Sequence, residues 1–124
     1  MKKILFVDIE YDYGNPSRGI NTIGQLGFQA SLKKLGHEVI PFYYDHYLNN
    51  LSQLQSDLLA KAEVVKPDLI FFIIFKDHFT TQTLDSLKNK YTTVNWFGDD
   101  TWRFESFTSR YAPHFSYCIT TDKF

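Results

Sequence analysis

Residues 69–75 read LIFFIIF, a run in which every side chain is aliphatic or aromatic. The triplet Lys66-Pro67-Asp68 separates this run from the segment before it, and the charged residue Lys76 follows it. Strands of a parallel sheet are covered on both faces, so they lack the alternation of polar and apolar residues that marks a half-exposed strand. The run therefore predicts a strand at or next to the centre of a parallel sheet.

Strand-like and helix-like segments alternate along the rest of the chain. Strands are predicted at residues 4–9, 39–44, 69–75, 93–97 and 117–121. Helices are predicted at residues 23–35, 51–65 and 81–91, with a short helix or turn within residues 102–111. In the first helix, the spacing of apolar residues predicts that Leu26, Ala30 and Leu35 face the sheet.

This alternation of strands and helices is typical of a doubly wound parallel sheet. Right-handed crossovers place helices on both faces of such a sheet. The sequence therefore predicts an α/β fold, a Rossmann-like three-layer sandwich with about five parallel strands in the order 2-1-3-4-5. Residues 1–124 are expected to form a single domain. The chain ends directly after its fifth predicted strand, which suggests a continuation that covers this edge.

Composition narrows the class of protein. The 124 residues are 44% hydrophobic and 22% charged, as in globular domains. The net charge of −1 gives no electrostatic reason to expect nucleic acid or an anionic membrane surface as a partner. No apolar stretch approaches the roughly 20 residues of a membrane helix. The single cysteine, Cys118, fits a reducing, cytoplasmic location, and its place in the last strand predicts a core thiol.

The loops after the strands are the expected binding region, because open α/β sheets bind ligands at the carboxyl ends of their strands. The first of these loops contains Asn15 and Arg18 between Gly14 and Gly19. It matches neither the dinucleotide fingerprint nor the Walker A motif. Its residues either form an anion-binding nest or an ordinary loop.

Polar residues also follow the third and fourth predicted strands. Residues 95–104 read NWFGDDTWRF, in which one of the two adjacent carboxylates is expected to act as a base while the other caps a turn. An indole in this loop offers an apolar face to a sugar or a base. No spacing of Cys and His residues indicates a metal site, and no cofactor is expected. The predicted catalytic residues are Asp99 and Asp100, and the predicted substrate-binding residues are Asn15, Arg18, Lys76, Asp77, Trp102 and Arg103.

Four segments together resemble a known family. They are GNPSRG at residues 14–19, LGHEV at 35–39, KPDLIF at 66–71 and NWFGDDTWRF at 95–104. The chain is similar, over nearly its whole length, to the N-terminal region of CgeB-like proteins. These are glycosyltransferases, or presumed ones, of the GT-B type, first named for spore maturation.

The resemblance implies a reaction and its partners. A sugar would move from a nucleotide-sugar donor to a hydroxyl acceptor, and Asp99 or Asp100 would deprotonate that hydroxyl if the enzyme inverts. In a GT-B fold the N-terminal domain mainly holds the acceptor, and a C-terminal domain holds most of the donor. The chain matches only the first of these domains, so it is expected to be inactive alone.

A receiver-like or small-ligand-binding regulatory module is the alternative. The segment KILFVD at residues 3–8 resembles the opening of a receiver domain. Asp77 would then have to act as phosphoacceptor and Lys123 as its basic partner. Two features depart from that pattern, because Ile9 separates the acidic residues Asp8 and Glu10 and the fourth strand ends in WFG.

Overall fold

The computed structural model describes residues 1–97 and 107–120, and these contain one five-stranded parallel sheet. Its order is β2-β1-β3-β4-β5, which confirms the predicted α/β class and strand order. The strands are β1 Lys3–Asp8, β2 Glu38–Tyr43, β3 Leu69–Phe72, β4 Thr93–Phe97 and β5 Tyr117–Thr120.

Three helices connect the first four strands. Helix α1 begins as a π-helix over Ile23–Gln29 and continues as an α-helix over Ala30–Lys34, while α2 covers Leu51–Val65 and α3 covers Thr81–Lys90. The side chain of Asn50 caps α2 by accepting a hydrogen bond from the Gln53 amide, and Thr80 caps α3 in the same way. None of the described helices is long and apolar enough to cross a membrane.

The helices cover the two faces of the sheet in separate hydrophobic clusters. Helices α2 and α3 pack on one face, where Leu58 and Leu84 are fully buried with Phe72. Helix α1 packs on the other face, where Phe28 lies beside the stacked rings of Phe6 and Phe71. The sheet therefore lies between two helical layers, as a Rossmann-like sandwich requires.

The predicted inward face of α1 is wrong. Leu26 is 66% exposed, and Ala30 and Leu35 are exposed as well. The buried residues of this segment are Gly24 and Gln29. The reason is the π-helical first half of α1, because hydrogen bonds from residue i to i+5 widen the turn and apolar residues at α-helical spacing no longer share one face.

The predicted burial of Cys118 is also wrong. All four residues of β5 are exposed, and this strand pairs on one side with β4. The thiol of Cys118 is exposed and lies 3.5 Å from the Ala112 carbonyl oxygen. Alternation along the strand did not lead to burial, since no helix among the described residues packs on β5.

Two leucine substitutions test the packing of the helices. Leu58→Ala in α2 removes a fully buried side chain, so we expect it to lower the free energy of unfolding by about 2–5 kcal/mol. Leu26→Ala in α1 removes an exposed one and should change it by less than about 0.5 kcal/mol. Urea denaturation measures both values. A large loss for Leu26→Ala would mean that α1 faces the sheet as the sequence predicted.

Candidate functional site

A cleft opens at the carboxyl ends of β1, β3 and β4, the edge at which open α/β sheets bind ligands. Its volume is about 180 Å³. Asp8 and Ile9 line it from the end of β1, and Trp96 and Phe97 line it from the end of β4. The remaining walls come from the segment after β3, the loop after β1, the first turn of α1 and residues that precede β5. These wall residues are Ile73, Ile74, Phe75, Asp12, Tyr13, Asn21, Ile23, Gly24, Phe107 and Thr108.

The Asp8 carboxyl group is the most perturbed acid in this cleft. Only 1% of Asp8 is exposed. Its Oδ1 accepts a hydrogen bond from the Ile9 amide, and its Oδ2 accepts one from Asn21 Nδ2, both at 2.8 Å. Burial raises the pKa of Asp8 from 3.8 to about 7, although these two hydrogen bonds lower it and the charge of Asp45 raises it further. The Asp8 carboxyl group therefore changes between its protonated and ionised forms near neutral pH.

The turn after β2, Tyr44–Tyr47, makes hydrogen bonds to the segments that follow β1 and β3 and line the cleft. The Asp45 carboxylate accepts hydrogen bonds from the amides of Glu10 and Tyr11, at 3.0 and 3.1 Å. The buried hydroxyl of Tyr44 donates to the Ile73 carbonyl oxygen at 2.8 Å. Burial also raises the pKa of Tyr44 well above its ordinary value, so this hydroxyl keeps its proton.

The first turn of α1 approaches the Asp8 carboxyl group very closely. A Cβ atom added at Gly24 would overlap Asp8 Oδ2 and would also crowd Asn21 Nδ2. Asn21 bridges the two elements, because its Nδ2 donates to Asp8 and its Oδ1 accepts from the Gly24 amide. The first turn of α1 and the end of β1 are therefore joined through Asn21.

Aromatic rings form much of the cleft wall. The rings of Tyr13 and Phe75 pack edge to face, with their centroids 6.2 Å apart. Tyr13 is 68% exposed and has a left-handed backbone with φ of 52°, which is uncommon outside glycine. Trp96 is partly buried against Phe28, which leaves part of its indole in the cleft.

Two of the predicted binding residues use their polar atoms inside the loop after β1. The Arg18 guanidinium contacts Asp12 Oδ2 through Nη2 at 2.9 Å and Nε at 3.0 Å, and it lies 4.9 Å from the Tyr13 ring centroid. Asn15 Oδ1 accepts hydrogen bonds from the amide and hydroxyl of Ser17. Neither residue lines the cleft, but Arg18 holds two residues that do.

The other predicted residues lie after β3 and β4. Lys76 and Asp77 are exposed and follow the wall residue Phe75. Burial lowers the pKa of the neighbouring His78, so its ring is mainly neutral at pH 7. Four predicted residues lie outside the described residues, namely Asp99, Asp100, Trp102 and Arg103. The described residues on either side of this segment, Phe97 and Phe107, both line the cleft.

The structure adds cleft residues that sequence reasoning did not select. The sequence gives Asp8 a role only in the receiver-like alternative, and it predicts no site role for Asn21 or Gly24. A signal for Asp8 was present, because a carboxylate closes an otherwise apolar strand. Within residues 1–97 and 107–120, no group of three or more Cys, His, Asp or Glu residues is arranged to hold a metal ion.

Comparisons with known proteins identify no family for this chain. No protein-family model matches it, and no curated protein matches it.

The raised pKa of Asp8 predicts a pH-dependent stability. Between about pH 4 and 7 the folded state keeps the Asp8 proton, whereas the unfolded chain has lost it. The Asp8 carboxyl group therefore stabilises the folded state at low pH, and this stabilisation is lost as the pH rises to about 7. The full effect is on the order of 4 kcal/mol. Asp8→Asn removes this pH dependence. From pH 4 to pH 8 the free energy of unfolding of the variant should therefore rise, relative to that of the native chain, by about this amount.

Urea denaturation across this pH range measures the difference, and Glu38→Gln on β2, which changes an exposed carboxyl group, is the matched control. A constant difference between Asp8→Asn and the native chain would show that the Asp8 pKa is ordinary.

The close approach of α1 to Asp8 is tested with two glycines of the same helix. Gly24→Ala forces atoms apart at Asp8, so we expect a loss of about 1–3 kcal/mol in the free energy of unfolding. Gly27→Ala meets open space and should stabilise the helix by up to about 1 kcal/mol. Thermal and urea denaturation measure the change in the free energy of unfolding, which should be a loss for Gly24→Ala and a gain for Gly27→Ala. Equal effects of the two substitutions would contradict the contact between Gly24 and Asp8.

Proposed function

We propose that this chain is the acceptor-side domain of a GT-B-type glycosyltransferase, similar to the N-terminal region of CgeB-like proteins. A sugar would pass from a nucleotide-sugar donor to a hydroxyl group of an acceptor held in the cleft. The observation that carries the proposal is the pairing of aromatic rings with a buried carboxyl group at the carboxyl ends of β1, β3 and β4. The sequence resemblance supports the same class.

The chemistry of the wall suits a carbohydrate. The C–H faces of a sugar pack on aromatic rings, and Tyr13, Phe75 and Trp96 supply such rings in the cleft. Sugar hydroxyls need polar partners, which Asp8 and Asp12 provide as hydrogen-bond acceptors. An apolar cleft with a few convergent polar groups is typical of small-molecule sites.

The transfer needs a base for the acceptor hydroxyl. A new bond forms between the acceptor oxygen and the anomeric carbon, the bond from that carbon to the nucleotide diphosphate breaks, and the hydroxyl proton moves to the base. Asp99 and Asp100 are the bases proposed from the sequence. Asp8 is a further candidate, because a general base works best when its pKa lies near the working pH.

The donor side belongs to a second domain in this proposal. We expect the 124-residue chain to bind acceptor-type sugars, to bind nucleotide-sugars weakly and to show no transfer by itself. A second α/β domain placed against the same edge of the sheet would complete the site.

The receiver-like alternative has less support at the same edge of the sheet. A receiver needs a phosphoacceptor carboxylate where the third strand ends. Strand β3 ends at Phe72, and apolar residues follow it as far as Phe75. Asp77 lies beyond them, exposed and outside the cleft wall.

Two tyrosine substitutions test carbohydrate binding in the cleft. Tyr13→Ala removes an aromatic wall residue, and we expect it to weaken binding of a neutral sugar by about three- to tenfold. Tyr117→Ala on β5 is the matched control, because Tyr117 is 65% exposed and Tyr13 is 68% exposed. Saturation-transfer NMR with a panel of neutral mono- and disaccharides, and with UDP-glucose, measures binding.

Neither variant removes the backbone strain at residue 13. Alanine disfavours a positive φ as tyrosine does, and Tyr117→Ala leaves residue 13 as it is. Equal binding by the native chain and Tyr13→Ala, or tight binding of UDP-glucose with no binding of neutral sugars, would count against an acceptor-side role.

A further inference from the structure

Among the described wall residues of the cleft, the charged side chains are carboxyl groups. Its titratable groups include the carboxyl groups of Asp8 and Asp12, and no Lys or Arg is among the wall residues in the described ranges. The guanidinium of Arg18 is held by Asp12 and stacked on Tyr13. Because Arg18 compensates the charge of Asp12, the charge that an anionic ligand would meet in the described wall is that of the ionised Asp8 carboxyl group.

A carboxyl group of the chain lies against the first turn of α1 at this edge. Rossmann-like folds often bind phosphate where the first helix points its amides at the ligand. In this chain the Asp8 carboxyl group lies against the first turn of α1, and the absence of a side chain at Gly24 allows that approach. The Gly24 amide is directed to Asn21 Oδ1 at 3.4 Å. A phosphate group bound at this turn would lie close to the Asp8 carboxyl group.

The groups around Asp8 do not neutralise its charge. Asp45 faces it from the turn after β2, Tyr44 lies on the same turn, and Asp12 shares the cleft. Helix α1 and its preceding residues contribute Asn21 and Gly24, and the segment after β3 contributes apolar side chains. A protonated carboxyl group in these surroundings can donate a hydrogen bond to an uncharged oxygen, while its ionised form can only accept one.

We propose that Asp8 makes the cleft selective for an uncharged, hydroxyl-rich ligand and excludes phosphorylated ligands of the same shape. This inference rests on the proposed function, since it names the class of acceptor. The acceptor is then a neutral sugar or polyol and not a sugar phosphate. Asp8 is the selectivity-determining residue, and Gly24 and Asn21 hold it in place.

Matched pairs of neutral and phosphorylated sugars test the selectivity. The probes are glucose with glucose 6-phosphate and N-acetylglucosamine with its 6-phosphate, added to the ¹⁵N-labelled chain. Amide shifts at Ile9 and Gly24 report binding beside Asp8. Because like charges brought together out of water repel strongly, we expect each neutral sugar to bind at least about tenfold more tightly than its phosphate.

Asp8→Asn removes the charge, and the ratio of the two affinities should fall by about tenfold. The control Asp85→Asn, on α3 and bonded to His114, removes an equal charge away from the cleft and should leave the ratio unchanged. From pH 6 to pH 8 the ratio should rise more in the native chain, where Asp8 ionises, than in Asp8→Asn, where only the second ionisation of the phosphate contributes. The affinity ratio of the native chain tests the inference even if Asp8→Asn does not fold.

Phosphate esters that bind as tightly as the neutral sugars, or a ratio that Asp8→Asn leaves unchanged, would overturn the selectivity but leave carbohydrate binding in place. No shift in the cleft with any of the four probes would contradict both this inference and the proposed function.

Discussion

The burial of one carboxyl group at the end of β1 constrains the cleft and the elements around it. Asp8 is held by two donated hydrogen bonds, from the Ile9 amide and from Asn21, with the charge of Asp45 nearby. These contacts do not offset desolvation, so the pKa of Asp8 rises to about 7. The end of β1 thereby carries an acid–base group in a cleft of about 180 Å³.

The same contact sets the position of α1 against the sheet. Its first turn touches the carboxyl group, and only a residue without a side chain fits at position 24. The helix then continues as a π-helix to Gln29, with Phe28 against the stacked rings of Phe6 and Phe71. Helix packing and the chemistry of the cleft are therefore linked through Gly24, which belongs to both.

Local patterns allowed much of the fold to be predicted, but less of the site. Helices α2 and α3 lie where the sequence predicts helices, because the signals that begin a helix, such as the caps at Asn50 and Thr80, act within a few residues. The predicted α1 face failed, since Leu26 is exposed where a π-helix changes the spacing. Asn15 and Arg18 lie in the predicted loop but bond within it, and a loop's internal pairing is not readable from its composition.

The sequence by itself determined the parallel sheet and its strand order. Uninterrupted apolar runs separated by amphipathic helices allow few other arrangements, because crossovers are right-handed and both faces must be covered. Only the tertiary structure decided that Asp8 is a buried acid beside Gly24 and that Cys118 is exposed on β5. Whether a residue is buried depends on which distant segments of the chain pack against it. Residues 8, 24 and 96 line one cleft because β1 and β4 end, and α1 begins, at the same edge of the sheet.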